Sequence, residues 1–369
     1  MNLTNEDLKY LKRKGINLDI AKEYNNRFLP QEILELYEKS CFPNYANQFK
    51  YISHISIIKL KSLNLDTSIL KNTKSKNMES YLEQIISIFE QSNGRNNIKI
   101  LGTGASGIIL NVDRYAWKYS DEMRKEENFL KNIAKNSKNI EPKFVSVISK
   151  ENLDIKTKIK PLYLKIAGKY TLQDFINVEV KFTENQTLDL IKNLLNSLIE
   201  MRTGGIFYHR DIRPANIIYT QKGIRLIDFG IATTNPDSQQ ICNRRYGSVN
   251  FANDYISIAQ VAYKMFTGFH LFAKSKSMDE TLEANNILDE RELFFQDSKK
   301  LNKKSIEIQK KTPRKLSELI FSLLNSNPHD NPEEYLKKIP KISINFFERG
   351  NINGRGKSYN YIRYPKFLK

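Results

Sequence analysis

Cysteine is scarce: Cys41 and Cys242 are the two in 369 residues. That excludes a disulfide scaffold and fits a reducing compartment. No C-x-x-C pair or His/Cys cluster occurs, so no zinc site is expected. No run of about 18 apolar residues occurs, which removes a membrane-spanning helix. The first ten residues are polar and lack the apolar stretch of a secretory signal, so the expected location is cytoplasmic. Acidic residues are short against basic ones, 41 Asp+Glu to 59 Lys+Arg, for a net charge of +18. That balance suits nucleic acid, an anionic surface or an acidic ligand, and says nothing about fold. What is present is enough to fold. Hydrophobic residues make up 40% and aromatics 11%, which excludes a wholly disordered chain. At about 150 residues per domain the length suits two or three domains, or one large domain with an appendage.

The first 50 or so residues carry a faint internal repeat with an offset of 25. Leu8, Leu11, Lys14, Ala21 and Tyr24 reappear as Ile33, Leu36, Lys39, Ala46 and Phe49, and a degraded third copy begins near Ile57 and Leu60. The apolar spacing is helical, with breaks at Gly15, Pro30 and Pro43. Stacked helix–turn–helix units follow from that pattern, either as a docking module for a partner or as a cap on the next domain. Lys71 to Asn77 is polar and basic and reads as a linker. A helix follows with Tyr81, Leu82, Ile85, Ile86 and Phe89 on one face. From Ile98 the texture is of short strands, and from about Thr187 of long amphipathic helices. That order points to an α+β arrangement in two lobes.

Ile98–Leu101 reads as a strand, Gly102-Thr103-Gly104-Ala105-Ser106-Gly107 as a glycine-rich turn, and Ile108–Val112 as a second strand. Glycines there let backbone N–H groups approach a polyphosphate. A dinucleotide fingerprint leads from a strand into a helix; this one joins two strands. Tyr115-Ala116-Trp117-Lys118-Tyr119 is the next strand, and Lys118 stands among apolar neighbours. Glu126 or Glu127 on a following helix offers that lysine a carboxylate, and Glu126 has the better apolar spacing to Phe129 and Leu130. Further on come His209-Arg210-Asp211-Ile212-Arg213-Pro214-Ala215-Asn216 and Asp228-Phe229-Gly230. In order and spacing these four features resemble the eukaryotic-type protein kinase family, with its glycine-rich loop, strand lysine, H-R-D-x-x-x-x-N and D-F-G.

The resemblance extends over roughly Ile98 to Ile339 and implies a bilobal protein-kinase-like fold. The expected organisation is 1–77 as helical extension and linker, 78–340 as the kinase-like domain and 341–369 as a basic aromatic tail. By resemblance, Asp211 orients the substrate hydroxyl. Asn216 and Asp228 hold Mg²⁺, a hard cation that takes oxygen ligands. Lys118 holds the ATP phosphates and pairs with Glu126, and Arg213 stands where Ser/Thr kinases carry a lysine, within reach of the γ-phosphate. Gly102, Thr103, Gly104, Ala105, Ser106 and Gly107 cover the nucleotide; Ala116, Leu164 and Ile166 meet the adenine. His209 is expected to be structural.

The pattern breaks late in the chain. Gly247 to Phe251 resembles the family's substrate-facing segment, but no A-P-E follows: Ala252 and Asn253 lead directly into Asp254. The arginine that should pair with the A-P-E glutamate is replaced by Asn331. Losing one partner would strand a buried charge at a cost of about 3–5 kcal/mol; losing both is physically coherent. Arg210 is placed to grip a phosphate on Thr233, Thr234, Ser238 or Ser248. The tail carries seven Lys/Arg against Glu348 alone, interleaved with six aromatics from Phe346 to Phe367. It suits an acidic partner, as nucleic acid or anionic lipid, or packs over the C-terminal lobe. The leading functional expectation is an ATP- and Mg²⁺-dependent kinase acting on Ser/Thr of a protein substrate. A phosphotransferase for a small or non-protein substrate and a kinase-shaped binding scaffold are the alternatives.

Overall fold

The computed structural model describes residues 3–24, 27–49, 52–63, 78–91, 98–104, 107–112, 115–136, 159–165, 170–220, 223–238, 246, 252–272 and 298–340. The chain divides into two compact units. One takes 1–123 with 147–165; the other takes 124–146 with 166–369.

The first unit opens with five short helices: α1 (Asn5–Arg13), α2 (Leu18–Glu23), α3 (Pro30–Glu38), α4 (Pro43–Ala46) and α5 (His54–Ser62). Helices this short are not stable alone, so they persist by burying a shared face. The residues of the repeat form that face: Leu11 and Leu36, Ala21 and Ala46, Tyr24 and Phe49 are all buried. Each unit begins with a capped turn. Thr4 and Asp7 make a reciprocal capping box on α1, Glu32 accepts from Leu29 N at 2.7 Å on α3, and Ser53 Oγ accepts from Ser56 N at 3.2 Å on α5. His54 locks α5 to α3, with its two ring nitrogens 2.9 and 3.1 Å from Glu32 and Glu35.

Helix α6 (Met78–Gln91) joins this array to an antiparallel sheet of β1 (Ile98–Gly104), β2 (Gly107–Val112), β3 (Tyr115–Ser120) and β4 (Leu162–Lys165), in that spatial order. Strand register decides what each face does, because side chains alternate. Ile108 pairs with Tyr119, Leu110 with Trp117, and Trp117 with Tyr163. All five lie in one continuous core with the N-terminal helices, and the Tyr81 ring of α6 sits 6.0 Å from that of Tyr119. Tyr81 also donates to Asp121 Oδ1 at 2.9 Å. The helical extension therefore covers one face of the sheet, and its core runs without a break from Leu60 through Met78 into the strands.

The second unit holds α7 (Met123–Asn136, all but its first residue), β5 (Tyr170–Thr171), α8 (Leu172–Asn177), α9 (Glu184–Thr203), β6 (Ile217–Thr220), β7 (Gly223–Leu226), α10 (Asp254–Thr267), α11 (Ser298–Lys311), α12 (Arg314–Leu324) and α13 (Pro332–Leu336). Strands β5, β6 and β7 form a small antiparallel sheet. Helix α10 is buried on every side although Asp254, Ser257, Gln260, Lys264 and Thr267 interrupt its apolar residues, and α9 and α12 pack against it. Together the antiparallel sheet and the helical second unit give the expected α+β class. No described helix is long and apolar enough to cross a membrane. The linker at 71–77 and the tail at 341–369 lie outside the described residues.

Since Leu82 of α6 is fully buried in the core shared by helices and sheet, Leu82→Ala should destabilise the first unit by about 2–5 kcal/mol. A denaturant midpoint shift in equilibrium unfolding checks this.

Candidate active site

In the first unit, Lys118 lies at an interior position of β3, paired with Ile109 on β2 and Leu162 on β4. Its side chain is buried, and an ammonium is tolerated there only with polar or anionic compensation. Ala116 and Leu164 pair directly, two residues along from Lys118 and Leu162. Alternation puts Ala116, Lys118 and Leu164 on the face opposite the helical extension. The glycine-rich segment is tighter than the sequence implied. Gly102, Thr103 and Gly104 extend β1 and Gly107, paired with Gly104, begins β2; Ala105 and Ser106 lie outside the described residues. Leu101 is exposed where the register shifts between Ile100 and Gly102. Gly107 has a reason of its own: a Cβ there would lie 2.0 Å from the Tyr119 carbonyl, so strand packing forbids a side chain. Ile166 also lies outside the described residues.

The second unit carries the polar loops. Helix α7 is set against the end of α9, where a Cβ on Gly204 would come within 2.8 Å of Ile133. Its Lys125 reaches the Gly230 carbonyl at 3.5 Å. Of the two adjacent glutamates, Glu127 makes a surface pair with Lys131 at 2.6 Å, whereas Glu126 is only 2% exposed.

After α9 the chain crosses to Phe207 and Tyr208, which bridge to Thr233 through bonds of 2.9–3.2 Å. The loop then turns through Arg210, whose φ of +67° is unusual for a residue with a side chain. Asp228 has the same φ of +67°. Such conformations cost about 1–3 kcal/mol each and persist only when neighbours fix them. The fixing contacts are visible. The Asp254 carboxylate accepts from His209 N at 2.7 Å and from Arg210 N at 2.9 Å. His209 Nδ1 accepts from Asp211 N at 3.3 Å, its Nε2 lies 3.1 Å from the Ile227 carbonyl, and its ring packs 4.6 Å from Phe229. One ring nitrogen is thus used within the loop and the other joins it to Ile227, the structural role expected of His209.

Asp211 is held from two directions. Its Oδ2 accepts from Asn216 Nδ2 at 2.6 Å and from Arg213 Nε at 3.2 Å. Asn216, buried in a 3₁₀ turn over Pro214–Asn216, also donates to the Asp211 carbonyl at 3.0 Å, and its own carbonyl accepts from Ile227 N at 3.0 Å. The Asn216 amide nitrogen is committed to Asp211, so the amide oxygen is the atom left to meet a cation. With the Asp228 carboxylate it offers two hard oxygen donors. That set suits Mg²⁺, which takes few protein ligands and completes its shell with phosphates and water. Among the described residues no cluster of three or more His, Cys, Asp or Glu forms an all-protein metal cage.

Three contacts were not foreseen from sequence. Asn253 caps α10 through Oδ1 and donates from Nδ2 to Ser326 at 3.1 and 3.2 Å. Arg202 donates to the carbonyls of Pro328 and Asp330. Asp254 opens a stretch that resembles the D-x-x-S-x-G start of the family's central C-lobe helix; its clamp on the loop, 44 and 45 residues away, carries no local signal. Asn331, at the position of the missing arginine, caps α13. Of the four phosphate-acceptor candidates, Ser238 lies 3.5 Å from Arg210 Nη1, Thr233 is used in the bridge, Thr234 is exposed, and Ser248 lies outside the described residues.

Comparison with known proteins agrees with this architecture. The profile of the protein kinase domain family matches residues 96–335. A probable serine/threonine-protein kinase PknB of Bifidobacterium longum is 30% identical over 115 residues, 27% of this chain and 16% of the relative. The probable serine/threonine-protein kinase fnkB of Dictyostelium discoideum is 24% identical over 167 residues, 43% and 28% of the two chains. Mitogen-activated protein kinase kinase 2 of Arabidopsis thaliana is 22% identical over 162 residues, 42% and 44%. The matches span less than half the length of each relative. The chain belongs to the protein kinase domain family.

Burial raises the Asp254 carboxyl from 3.8 to about 6, against the pull of the two amides, Arg202 and Arg210. A raised folded value means that folding favours the protonated form. The associated stability is complete below about pH 4 and is lost as pH rises through about 6. Asp254→Asn should remove this decline, which chemical denaturation at pH 4, 5, 6 and 7 measures directly.

Proposed function

We propose that the chain is an ATP- and Mg²⁺-dependent protein kinase that phosphorylates Ser/Thr hydroxyls of a protein substrate. The observation that carries the reading is the anchored Asp211: its carboxylate is fixed by Asn216 and Arg213 in the turn that adjoins Asp228. Phosphoryl transfer needs positioning and charge neutralisation more than covalent help. Asp211 orients the acceptor hydroxyl and takes its proton as the oxygen attacks. Arg213, with Nε on Asp211, keeps the far end of its guanidinium for the γ-phosphate. Lys118 binds the α- and β-phosphates and is steadied by Glu126. Gly102 to Gly107 lie over the phosphates, and Ala116, Leu164 and Ile166 meet the adenine. Asn216 and Asp228 hold Mg²⁺; when bound, the ion screens the charge of the transferring phosphates.

The Ser/Thr assignment is supported by Pro214 in the catalytic loop and by relatives named as serine/threonine-protein kinases. A docking role for the N-terminal helices and an acidic partner for the tail are further parts of this reading.

The test is transfer of labelled γ-phosphate from ATP to the protein itself and to generic protein substrates. Asp211→Asn and Lys118→Ala should each lower kcat by about 10²–10⁴-fold, and transfer that survives both overturns the assignment. Chelation of divalent cations should abolish transfer and added Mg²⁺ restore it; full activity in chelator would remove the metal from the reading. Phosphate delivered to a small alcohol but to no protein would favour the small-substrate alternative.

A further inference from the structure

The A-P-E motif is absent from the sequence, yet the chain around the substrate-facing stretch is pinned at three points. At the first, Ser238 Oγ lies 3.5 Å from Nη1 of Arg210, the neighbour of Asp211. At the last, Ala252 N donates to the Ser238 carbonyl at 3.5 Å, and Ala252 is buried in one small core with Tyr208. Tyr246 is the point between them. It is buried, and its carbonyl accepts from Gln260 Nε2 at 2.6 Å. Its ring lies 5.5 Å from that of His270, tilted by 53°. Gln260 stands midway along α10 and is only 3% exposed, a place where an amide is tolerated only when hydrogen-bonded. His270 follows Gly268, which ends α10 at a φ of +79°. One residue of the segment is thus held both from within α10 and from just beyond it.

We propose that Gln260, seconded by His270, is a positioning residue for the protein acceptor: by holding the Tyr246 carbonyl it sets where residues 247–251 begin. This rests on the protein-kinase reading above. The constraint is one of tether length. With Tyr246 fixed, the chain from Ser238 to Ala252 is divided into spans of seven and five residues. With Tyr246 released, it is one loop of thirteen, closed only at its neck. A shorter closed span has fewer conformations, so it loses less freedom when an acceptor docks on it. The anchor therefore acts on the acceptor and leaves nucleotide binding alone. Gln260 bonds the backbone of residue 246 while His270 meets its ring, so the two contacts fix different parts of the same residue.

Two variants and two readouts test this, with dephosphorylated casein as the acceptor. Gln260→Met keeps length and deletes the donor. Its KM for casein should rise about tenfold, with the KM for ATP within about twofold of wild type. Loss of the bond takes this donor from a buried carbonyl, so the segment should open more often. Trypsin reads that opening, because Arg244 and Arg245 immediately precede Tyr246 in the sequence. Cleavage there should quicken about tenfold in the folded variant. His270→Leu weakens the same anchor from a half-buried position outside the helix, and both readouts should change about threefold. A folded Gln260→Met with wild-type KM for casein overturns the proposal even if cleavage quickens, for the bond then holds the segment without serving the acceptor. So does a raised KM without faster cleavage, and so does an equal rise in the KM for ATP, the mark of a general structural defect. Should Gln260→Met fail to fold, His270→Leu decides, and unchanged casein KM and cleavage overturn. Cleavage needs no activity: a wild type that transfers no phosphate counts against the kinase reading, while the tryptic comparison still decides the anchor.

Discussion

The backbone amides of His209 and Arg210 belong to no helix or strand, and the loop that carries them is held by one carboxylate. Asp254 accepts both. With the two amides fixed, Arg210 can be kept at positive φ, the His209 ring is aimed at Ile227 and Phe229, and Asp211 is delivered beside Asn216. Buried polar networks of this kind are worth having only when every member is satisfied. Here the carboxylate is buried, and its two amide bonds and the nearby guanidiniums offset its desolvation only in part. The anchor stands on α10, which is buried on all sides and so cannot shift without disturbing the whole unit.

The first unit is governed by a different constraint, the alternation of side chains along β2, β3 and β4. One parity class, Ile108, Leu110, Trp117, Tyr119 and Tyr163, is apolar and takes the helical extension. The other contains Ala116, Lys118 and Leu164. A slip of one residue would move Lys118 into the aromatic core and Trp117 out of it. The extension thus does more than cap the sheet: by burying one face it fixes the register that gives Lys118 its position. Gly107 adds a second lock, because β3 passes too close for any other residue.

Much of this was legible in the sequence, and the reason is locality. The 25-residue repeat works through contacts between adjacent helices: its matched apolar positions are buried, apart from half-buried Leu8, while Lys14 and Lys39 are exposed. The H-R-D and D-F-G segments announce themselves because Asp211, Arg213 and Asn216 bond to one another within five residues. What was not legible joins distant points: Asn253 with Ser326 across 73 residues, and Arg202 with Asp330 across 128. No periodicity or spacing rule reaches that far. The glycine-rich turn was drawn too long for a related reason. Glycine reads as loop, but Gly102, Gly104 and Gly107 stay in the ladder, and for Gly107 the requirement is close strand approach.

The absent A-P-E ion pair finds its explanation in the same long-range contacts. A buried salt bridge gains Coulomb energy and loses hydration, and the two nearly cancel. The cross-link at this place can therefore be made from neutral groups without loss of stability, provided none is left unpaired. Asn253 meets that condition, because its oxygen caps α10 while its nitrogen binds the end of α12. Asn331, at the position of the family's arginine, is spent on the cap of α13. Arg202 adds a charged cross-link at the same corner, bound to the carbonyls of Pro328 and Asp330 and stacked on Phe207.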